Sequence, residues 1–228
     1  LYPEVINSYY KNKIPALTYY FLKTIFNMSY KKASKVISLG PFMSKRISQK
    51  GVNKKNIYEI SNWATGKINN QNIKENKLID KFEIRNKFSI VYSGNLGLSH
   101  DWESLIHAIE KIKDNDKFKL IFISQKSKSI SNLKMYVVKN NLSERVGFYD
   151  LVPEYLLPQS MALTKLAVVT IKPSFSGLVV PSKFLGYIAR GIPVLYIGPD
   201  SDISYHIKRG DCGFSFKNYQ IKEISDFI

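Results

Sequence analysis

The segment SGLVVPSK, from Ser176 to Lys183, contains the residues with the clearest chemical potential. Gly177 permits a tight backbone turn, and Pro181 and Ser182 are residues that commonly begin helices. Lys183 then falls in the first helical turn, where its positive charge is unfavourable with the helix dipole. A phosphate group would compensate both the lysine and the free N–H groups of that turn. We therefore predict an anion contact at the start of this helix, at Ser182 and Lys183, and a solvated surface lysine is the alternative.

A second candidate loop, SGNLGLSHD, spans residues 93–101. Gly94 and Gly97 would let the backbone approach a ligand closely and direct N–H groups, with that of Asn95, toward an anion. The helix that begins near Asp101 would add the positive end of its dipole. Glycine-rich turns are common, so turn formation alone is an alternative interpretation of both glycines.

Apolar strands and amphipathic helices alternate along the chain and must position these loops. Strands without alternating polarity, separated by helices of about ten residues, require a parallel sheet covered on both faces. The sequence thus predicts a doubly wound, Rossmann-like α/β fold, in which ligands bind beyond the carboxyl ends of the strands. The predicted strands are 35–39, 56–60, 88–94, 118–124, 145–150, 166–171, 193–198 and 212–216, and the predicted helices are 14–31, 41–50, 101–113, 127–140, 153–164, 182–190 and 201–209.

A polar segment rich in Asn and Lys, residues 61–81, interrupts this alternation. Such a composition is typical of linkers. We predict that residues 1–65 end one Rossmann-like domain, that 66–86 form an interdomain linker, and that 87–228 form a second domain. Because the chain starts without Met and stops in a helical pattern, we interpret it as a piece of a longer protein.

The amino-acid composition of the chain excludes several classes of protein. The 228 residues are 44% hydrophobic, which is enough for a large core, and the single cysteine, Cys212, excludes an internal disulfide framework. The sequence has no Cys/His cluster at metal-ligand spacing, so we expect no metal site. Together with the absence of a recognisable signal peptide, the cysteine content predicts a cytoplasmic protein.

The net charge of +16 is concentrated in the first part of the chain. Residues 1–86 contain 16 Lys/Arg and 5 Asp/Glu, a surplus of 11. No nucleic-acid-binding module is recognisable, and we expect no nucleic-acid partner. The mixture of aromatic residues and lysines near 17–35 is consistent with peripheral contact with the anionic inner face of the cell membrane. Solvated surface charge is the alternative.

Two stretches carry a family resemblance. VYSGNLG (91–97) followed by VPSKFLGYIARGIPVL (180–195) resembles the donor-binding domain of family 4 retaining glycosyltransferases, which have the GT-B fold. Within that family, the chain resembles bacterial enzymes that build capsule, O-antigen and colanic-acid-type polysaccharides. Residues 1–5, 33–51 and 60–64 are similar to the end of the acceptor domain and the crossing between the two domains, so the resemblance covers nearly the whole chain.

The resemblance implies transfer of a sugar from a nucleotide-diphosphate sugar to a saccharide or undecaprenyl-linked acceptor, with retention of the anomeric configuration. It implies no cofactor, because a lysine and helix dipoles can stabilise the leaving diphosphate. No catalytic group is assigned, since the acceptor-side groups would lie in the preceding part of the protein. The implied donor contacts are Gly94, Asn95, Gly97, Ser176, Gly177, Ser182 and Lys183.

The chain departs from the common family pattern at four positions. Leu178 and Gly186 stand where the family has two glutamates, and Asn95 and His100 stand where many members have Arg and Lys. Two alternative functions therefore remain open at this point: a catalytically degenerate binding subunit with the same fold, and a GT-B nucleotide-sugar epimerase.

Overall fold

The computed structural model describes residues 1–10, 13–64 and 76–228. We call residues 1–64 the first unit. It holds a pair of parallel strands in which Val36 is opposite Ile57. The helix that connects these two strands packs against them through a small apolar cluster around Met43, Ile47 and Val52. Its elements are α1 (Glu4–Tyr9), α2 (Ala16–Lys32), β1 (Val36–Ser38), α3 (Pro41–Gln49) and β2 (Ile57–Glu59).

Residues 76–228 form the second unit, which is built around a six-stranded sheet. Its strands are β3 (Phe88–Ser93), β4 (Phe118–Ile123), β5 (Val146–Tyr149), β6 (Leu166–Thr170), β7 (Val194–Ile197) and β8 (Gly213–Phe216). They lie in the order β5-β4-β3-β6-β7-β8, and all neighbouring strands are parallel. Strands β4, β6 and β7 are buried along their whole length, because helices cover both faces of the sheet.

Helices pack on the two faces of this sheet through separate apolar clusters. One cluster includes Leu105, Leu133 and Ile224, and the cluster on the opposite face includes Phe184 and Ile203. The helices of the second unit are α4 (Leu78–Lys81), α5 (Trp102–Lys111), α6 (Lys128–Lys139), α7 (Leu157–Ala162), α8 (Lys183–Ile188), α9 (Asp202–Gly210) and α10 (Ile221–Phe227).

The direction of winding reverses at the centre of the sheet. From β3 the chain winds outward through β4 to β5, whereas from β6 it winds to the other side through β7 to β8. The carboxyl ends of these two central strands, Ser93 and Thr170, lead into the two glycine-containing loops. Ligands of doubly wound sheets bind at such a switch point. The topology therefore places both candidate loops at the same edge of the sheet.

The predicted doubly wound parallel sheet is confirmed, and each predicted strand or helix has a counterpart. The predicted helix 153–164 begins instead as a short 3-10 turn, Glu154–Leu156, and continues as α7. Helix α1 has no counterpart among the predictions. Among the described residues, no helix combines the length and apolar content needed to cross a bilayer.

The predicted linker at 66–86 differs from the structure in its later part. Leu78, Phe82 and Ile84 are buried and pack with Val91 and Ile121 of the sheet. Residues 76–86 thus belong to the second unit, because their apolar side chains complete one face of its core. Residues 65–75, which contain the remainder of the predicted linker and the predicted domain end at residue 65, lie outside the described residues.

Candidate functional site

The two glycine-containing loops line an open cavity of about 290 Å³ at the switch point of the sheet. Four of the predicted contacts, Gly94, Asn95, Ser182 and Lys183, line it. Neither Asp nor Glu appears in this lining within the described part of the chain. The lining residues are Ser93, Gly94, Asn95, Ser99, His100, Val179, Val180, Pro181, Ser182 and Lys183.

Lys183 extends from the first turn of α8 into this cavity. Its Nζ lies 3.5 Å from the centre of the Tyr92 ring, a distance at which the ring face attracts a cation. The Nζ atom is buried, and no hydrogen-bond acceptor contacts it among the residues that the structure describes. Burial of the amine lowers the pKa of Lys183 to about 7. Below about pH 7 the cavity thus holds a positive charge for which its described lining provides no counter-charge.

His100 is a neutral neighbour of this lysine. Its Nδ1–H donates to the carbonyl oxygen of Thr170 at 2.8 Å, and its ring lies edge-on to Tyr92. Burial, with the charge of Lys183 as a smaller cause, lowers the pKa of His100 to about 4. The imidazole is therefore uncharged at neutral pH, and Lys183 is the cationic side chain in the described lining of this cavity.

The backbone of the first loop is held close to Nζ. The Tyr92 hydroxyl donates to the carbonyl oxygen of Asn95 at 3.0 Å, which ties the turn to the end of β3. Gly94 has a φ of +117°, a conformation that other residues rarely adopt. A side chain at this position would lie 3.9 Å from Nζ of Lys183. The glycine therefore leaves the space beside the ammonium group open.

The N-terminus of helix α5 does not have the anion-binding role predicted for it. The Asp101 carboxylate accepts from the backbone N–H of Ser104 at 3.1 Å, and it also accepts from the Asn218 side chain at 2.6 Å. A negative charge from the chain itself therefore caps this helix end. The expectation that the α5 dipole serves an external anion is corrected accordingly.

The structure places three of the predicted contacts away from the cavity lining. A side chain on Gly97 would point toward the Tyr9 hydroxyl of α1, at 3.9 Å. Gly177, with a φ of +66°, lies against α3, where an added Cβ would come within 3.1 Å of the Phe42 carbonyl oxygen. The carbonyl oxygen of Ser176 accepts from Arg46 Nε at 3.3 Å. The two glycines and the Ser176 carbonyl group face the first unit, whereas the Ser176 hydroxyl donates to the Asp200 carbonyl oxygen of the second unit at 2.8 Å.

A second cavity, of about 540 Å³, adjoins the first. The two share Ser93, Ser182 and Lys183 as a common wall. Sequence reasoning missed its other polar and aromatic residues, although Tyr187 and Arg190 follow Lys183 at the i+4 and i+7 spacing of one helix face. The lining residues are Asn62, Trp63, Ala64, Ser93, Leu157, Met161, Ser182, Lys183, Gly186, Tyr187 and Arg190.

The two positions that depart from the glutamate pattern lie in different surroundings. Leu178 is 4% exposed and belongs to the protein interior. Gly186 lines the second cavity, and an added Cβ would meet the Met161 Cε at an ordinary distance of 3.5 Å. The described lining of the second cavity contains no carboxylate. At Gly186 this is not for lack of space, because the backbone there has room for a side chain.

Comparison with known proteins identifies one similar curated sequence. No family model matches the chain. The probable glycosyltransferase WbjE of Pseudomonas aeruginosa is 25% identical over 186 residues, which cover 81% of this chain and 46% of that protein. The chain thus spans about half the length of the curated relative that it matches.

Solved structures resemble the chain in fold. HepE of Anabaena, solved in complex with UDP and glucose, has a TM-score of 0.72 at 17% identity, with 91% of this chain and 56% of that chain covered. A glycosyltransferase from Rickettsia africae has a TM-score of 0.75 at 15% identity, covering 94% and 56% of the two chains. The chain has the α/β fold with a parallel sheet seen in GT-B glycosyltransferases, which confirms the expected fold.

Proposed function

We propose that this chain carries the donor-binding half of a glycosyltransferase that uses a nucleotide-diphosphate sugar. The observation that carries the proposal is the buried Lys183 amine at the switch point of the sheet: the described residues give it no hydrogen-bond partner, and the described cavity lining holds no carboxylate. Such a site favours an anion, and a diphosphate supplies charge and acceptor oxygens together. The similarity to WbjE and to HepE, which was solved with UDP and glucose, supports the same class of ligand.

The two adjoining cavities suggest how the donor lies. In this proposal the diphosphate contacts the wall that both cavities share, at Ser182 and Lys183. The sugar occupies the smaller cavity beside Gly94, and the nucleoside occupies the larger one beside Trp63 and Arg190. An aromatic face and an apolar lining suit a nucleobase, whereas the smaller cavity is bounded by backbone and hydroxyl groups.

Lys183 would act on the leaving group. When the bond between the sugar and the diphosphate breaks, negative charge develops on the departing phosphate oxygen. A cation already positioned in a buried site stabilises that charge without further rearrangement. His100, neutral and bonded to the Thr170 carbonyl, shapes the cavity and adds no second charge.

The finer features follow the family resemblance and are part of the proposal. The acceptor is a saccharide or undecaprenyl-linked saccharide used in surface polysaccharide synthesis, and the anomeric configuration is retained. The acceptor would approach from the side of the first unit, whose α1 and α3 contact the loop 172–180.

Titration calorimetry tests the proposed donor site. The full-length protein is titrated with UDP, GDP, ADP and CMP, and so are the Lys183→Ala variant and the Lys139→Ala control, which removes an exposed lysine at the end of α6. We expect micromolar binding of one nucleotide, weakened roughly 10- to 100-fold by Lys183→Ala and unchanged by the control. Binding that is equally tight in all three proteins would contradict the assignment of Lys183.

A degenerate binding subunit is the second candidate. Gly186, in place of a carboxylate in the second cavity, favours it. Nucleotide binding without transfer of radiolabelled sugar to any lipid-linked acceptor would support this alternative. An epimerised nucleotide sugar recovered without transfer would instead identify an epimerase.

Peripheral membrane contact through the first unit is a separate part of the proposal. Leu17, Phe21 and Met28 of α2 are 85%, 65% and 50% exposed, and Lys31 and Lys32 end the same helix. Apolar side chains beside lysines suit an anionic bilayer surface. We expect cosedimentation with phosphatidylglycerol vesicles, lost in Phe21→Ser and absent with phosphatidylcholine alone. Equal sedimentation with both vesicle types would contradict an electrostatic contact.

A further inference from the structure

The Lys183 amine is buried without the partner that a buried ammonium group normally has. Its Nζ lies within 3.5 Å of the Tyr92 ring centre, and none of the described residues offers it a hydrogen-bond acceptor. A buried cation is costly unless it is paired, and the ring face compensates only part of that cost. The free site consequently holds the proton on Lys183 less tightly than water does.

The ionisable groups around Nζ do not supply a counter-charge. Tyr92 on β3 and Tyr187 on α8 are buried phenols, and burial raises the pKa of both, that of Tyr187 to about 12. His100, before α5, is neutral at pH 7. After β6, the Lys172 ammonium pairs with Glu103 at 3.3 Å. Arg190, two residues after the end of α8, adds a second positive charge to the adjoining cavity.

A bound phosphate would shift the Lys183 amine toward its protonated form. An anion beside Nζ favours the charged form of the amine and provides the acceptor that the described residues do not. We propose that binding of a nucleoside diphosphate in this cavity is coupled to the uptake of one proton by Lys183. The proton comes from solvent and stays on Nζ, and no covalent bond is made or broken. This inference rests on the proposed function, because it assumes that the ligand is a diphosphate.

The coupling gives donor binding a specific dependence on pH. In the free protein the pKa of Lys183 is about 7, and the bound phosphate raises it. Below pH 7 the amine is already protonated, so binding needs no uptake. Above pH 7 each unit of pH lowers the affinity by up to about tenfold, until the pKa of the bound state is reached. The cavity thus binds nucleoside diphosphates most tightly in neutral to mildly acidic solution.

Calorimetry in different buffers measures the proton directly. The full-length protein is titrated with UDP at pH 8 in Tris, Tricine and HEPES, and the observed enthalpy is plotted against the ionisation enthalpy of the buffer. The slope is the number of protons taken up. With a free-site pKa of about 7, roughly nine tenths of the Lys183 amines are neutral at pH 8, so we expect a slope near one proton.

Lys183→Arg is the matched variant, because its guanidinium keeps a positive charge at every accessible pH. We expect it to bind UDP with a slope near zero and with an affinity independent of pH between about 7 and 9. Lys139→Arg, on the exposed end of α6, should behave as the wild type. If Lys183→Arg does not fold, the fall in wild-type affinity between pH 7 and pH 9 tests the same coupling.

Failure of the coupling is distinguishable from failure of the proposed function. UDP binding with a slope near zero, or with equal slopes in wild type and Lys183→Arg, overturns the proton uptake and leaves the donor site intact. Binding of none of the nucleotides UDP, GDP, ADP and CMP at either pH 6.5 or pH 8 overturns the donor site itself and the coupling with it.

Discussion

The seven predicted contact residues form two groups that differ in what they face. Gly94, Asn95, Ser182 and Lys183 line the cavity at the switch point, whereas Gly97, Ser176 and Gly177 face α1 and α3 of the first unit. We call these groups the cavity group and the contact group. Both contain glycines at positive φ, at Gly94 and Gly177.

The difference shows that the same residue type serves two purposes in one pair of loops. At Gly94 the missing side chain leaves open space beside an ammonium group. At Gly177 the missing side chain lets the backbone of α3 approach closely. A glycine in a loop therefore indicates a backbone conformation or a close approach that a side chain would prevent. Whether a ligand or another segment of the protein lies in the space beside it depends on the neighbouring elements.

Lys183→Met should have the largest effect and acts on the cavity group alone. Nucleotide affinity should fall roughly 10- to 100-fold because the cation is lost. At pH 7 the melting temperature should rise, since an unpaired buried amine is replaced by an apolar side chain of similar length. Calorimetric titration and thermal unfolding of the same samples measure the two effects. A lowered melting temperature would show that Lys183 stabilises the fold.

The pH dependence of stability sharpens this prediction. Because burial lowers the pKa of Lys183 to about 7, the unfolded chain binds one more proton than the folded chain between about pH 7 and the usual range of lysine. The contribution of Lys183 to the free energy of unfolding should therefore rise with pH over this interval. Urea unfolding of wild type at pH 7 and pH 9, compared with Lys183→Met, should show the rise in wild type only.

Gly177→Ala tests the contact group and should have the second largest effect. The added Cβ would lie 3.0 Å from Arg46 Cγ and 3.1 Å from the Phe42 carbonyl oxygen, at a φ of +66°. We expect a loss of about 1–3 kcal/mol in the free energy of unfolding, from backbone strain and displaced packing. Thermal unfolding measures the loss. The matched Gly94→Ala variant should lower nucleotide affinity more strongly than Gly177→Ala, and the reverse order would contradict the division into two groups.

Arg46→Ala should have the smallest effect. It removes the hydrogen bond from Arg46 Nε to the exposed Ser176 carbonyl, 3.3 Å long, and some packing of the side-chain stem over Gly177. We expect a loss of about 0.5–1 kcal/mol in the free energy of unfolding and no change in nucleotide affinity. Urea unfolding and calorimetric titration check both. Weakened nucleotide binding in this variant would show that the contact group also positions the cavity.

Much of the fold was predictable from local patterns. Largely apolar runs such as FKLIFI predicted buried strands, and β4 is buried throughout. The failures have local causes as well. The region around Leu78 and Phe82 was assigned to a linker because Asn and Lys surround its few apolar residues, which pack only once the sheet is formed.

The candidate site was less predictable than the fold. Lys183 was recognised because a lysine in the first turn of a helix conflicts with the helix dipole. Trp63 and Arg190 were not recognised as neighbours of Lys183, although both line the second cavity with it. Trp63 lies 120 positions before Lys183 along the chain, so its position depends on how the chain crosses between the units.

By itself the sequence determined the order of strands and helices, the parallel sheet and the two loops that end its central strands. These features depend on short-range periodicity and on the need of each apolar face for a covering layer. Only the tertiary structure decided that Lys183 has no counter-charge among the described residues, that Asp101 caps its own helix, and that Gly177 faces α3. The physical reason is that charge pairing and close packing depend on which distant segments meet, and composition and spacing do not specify this.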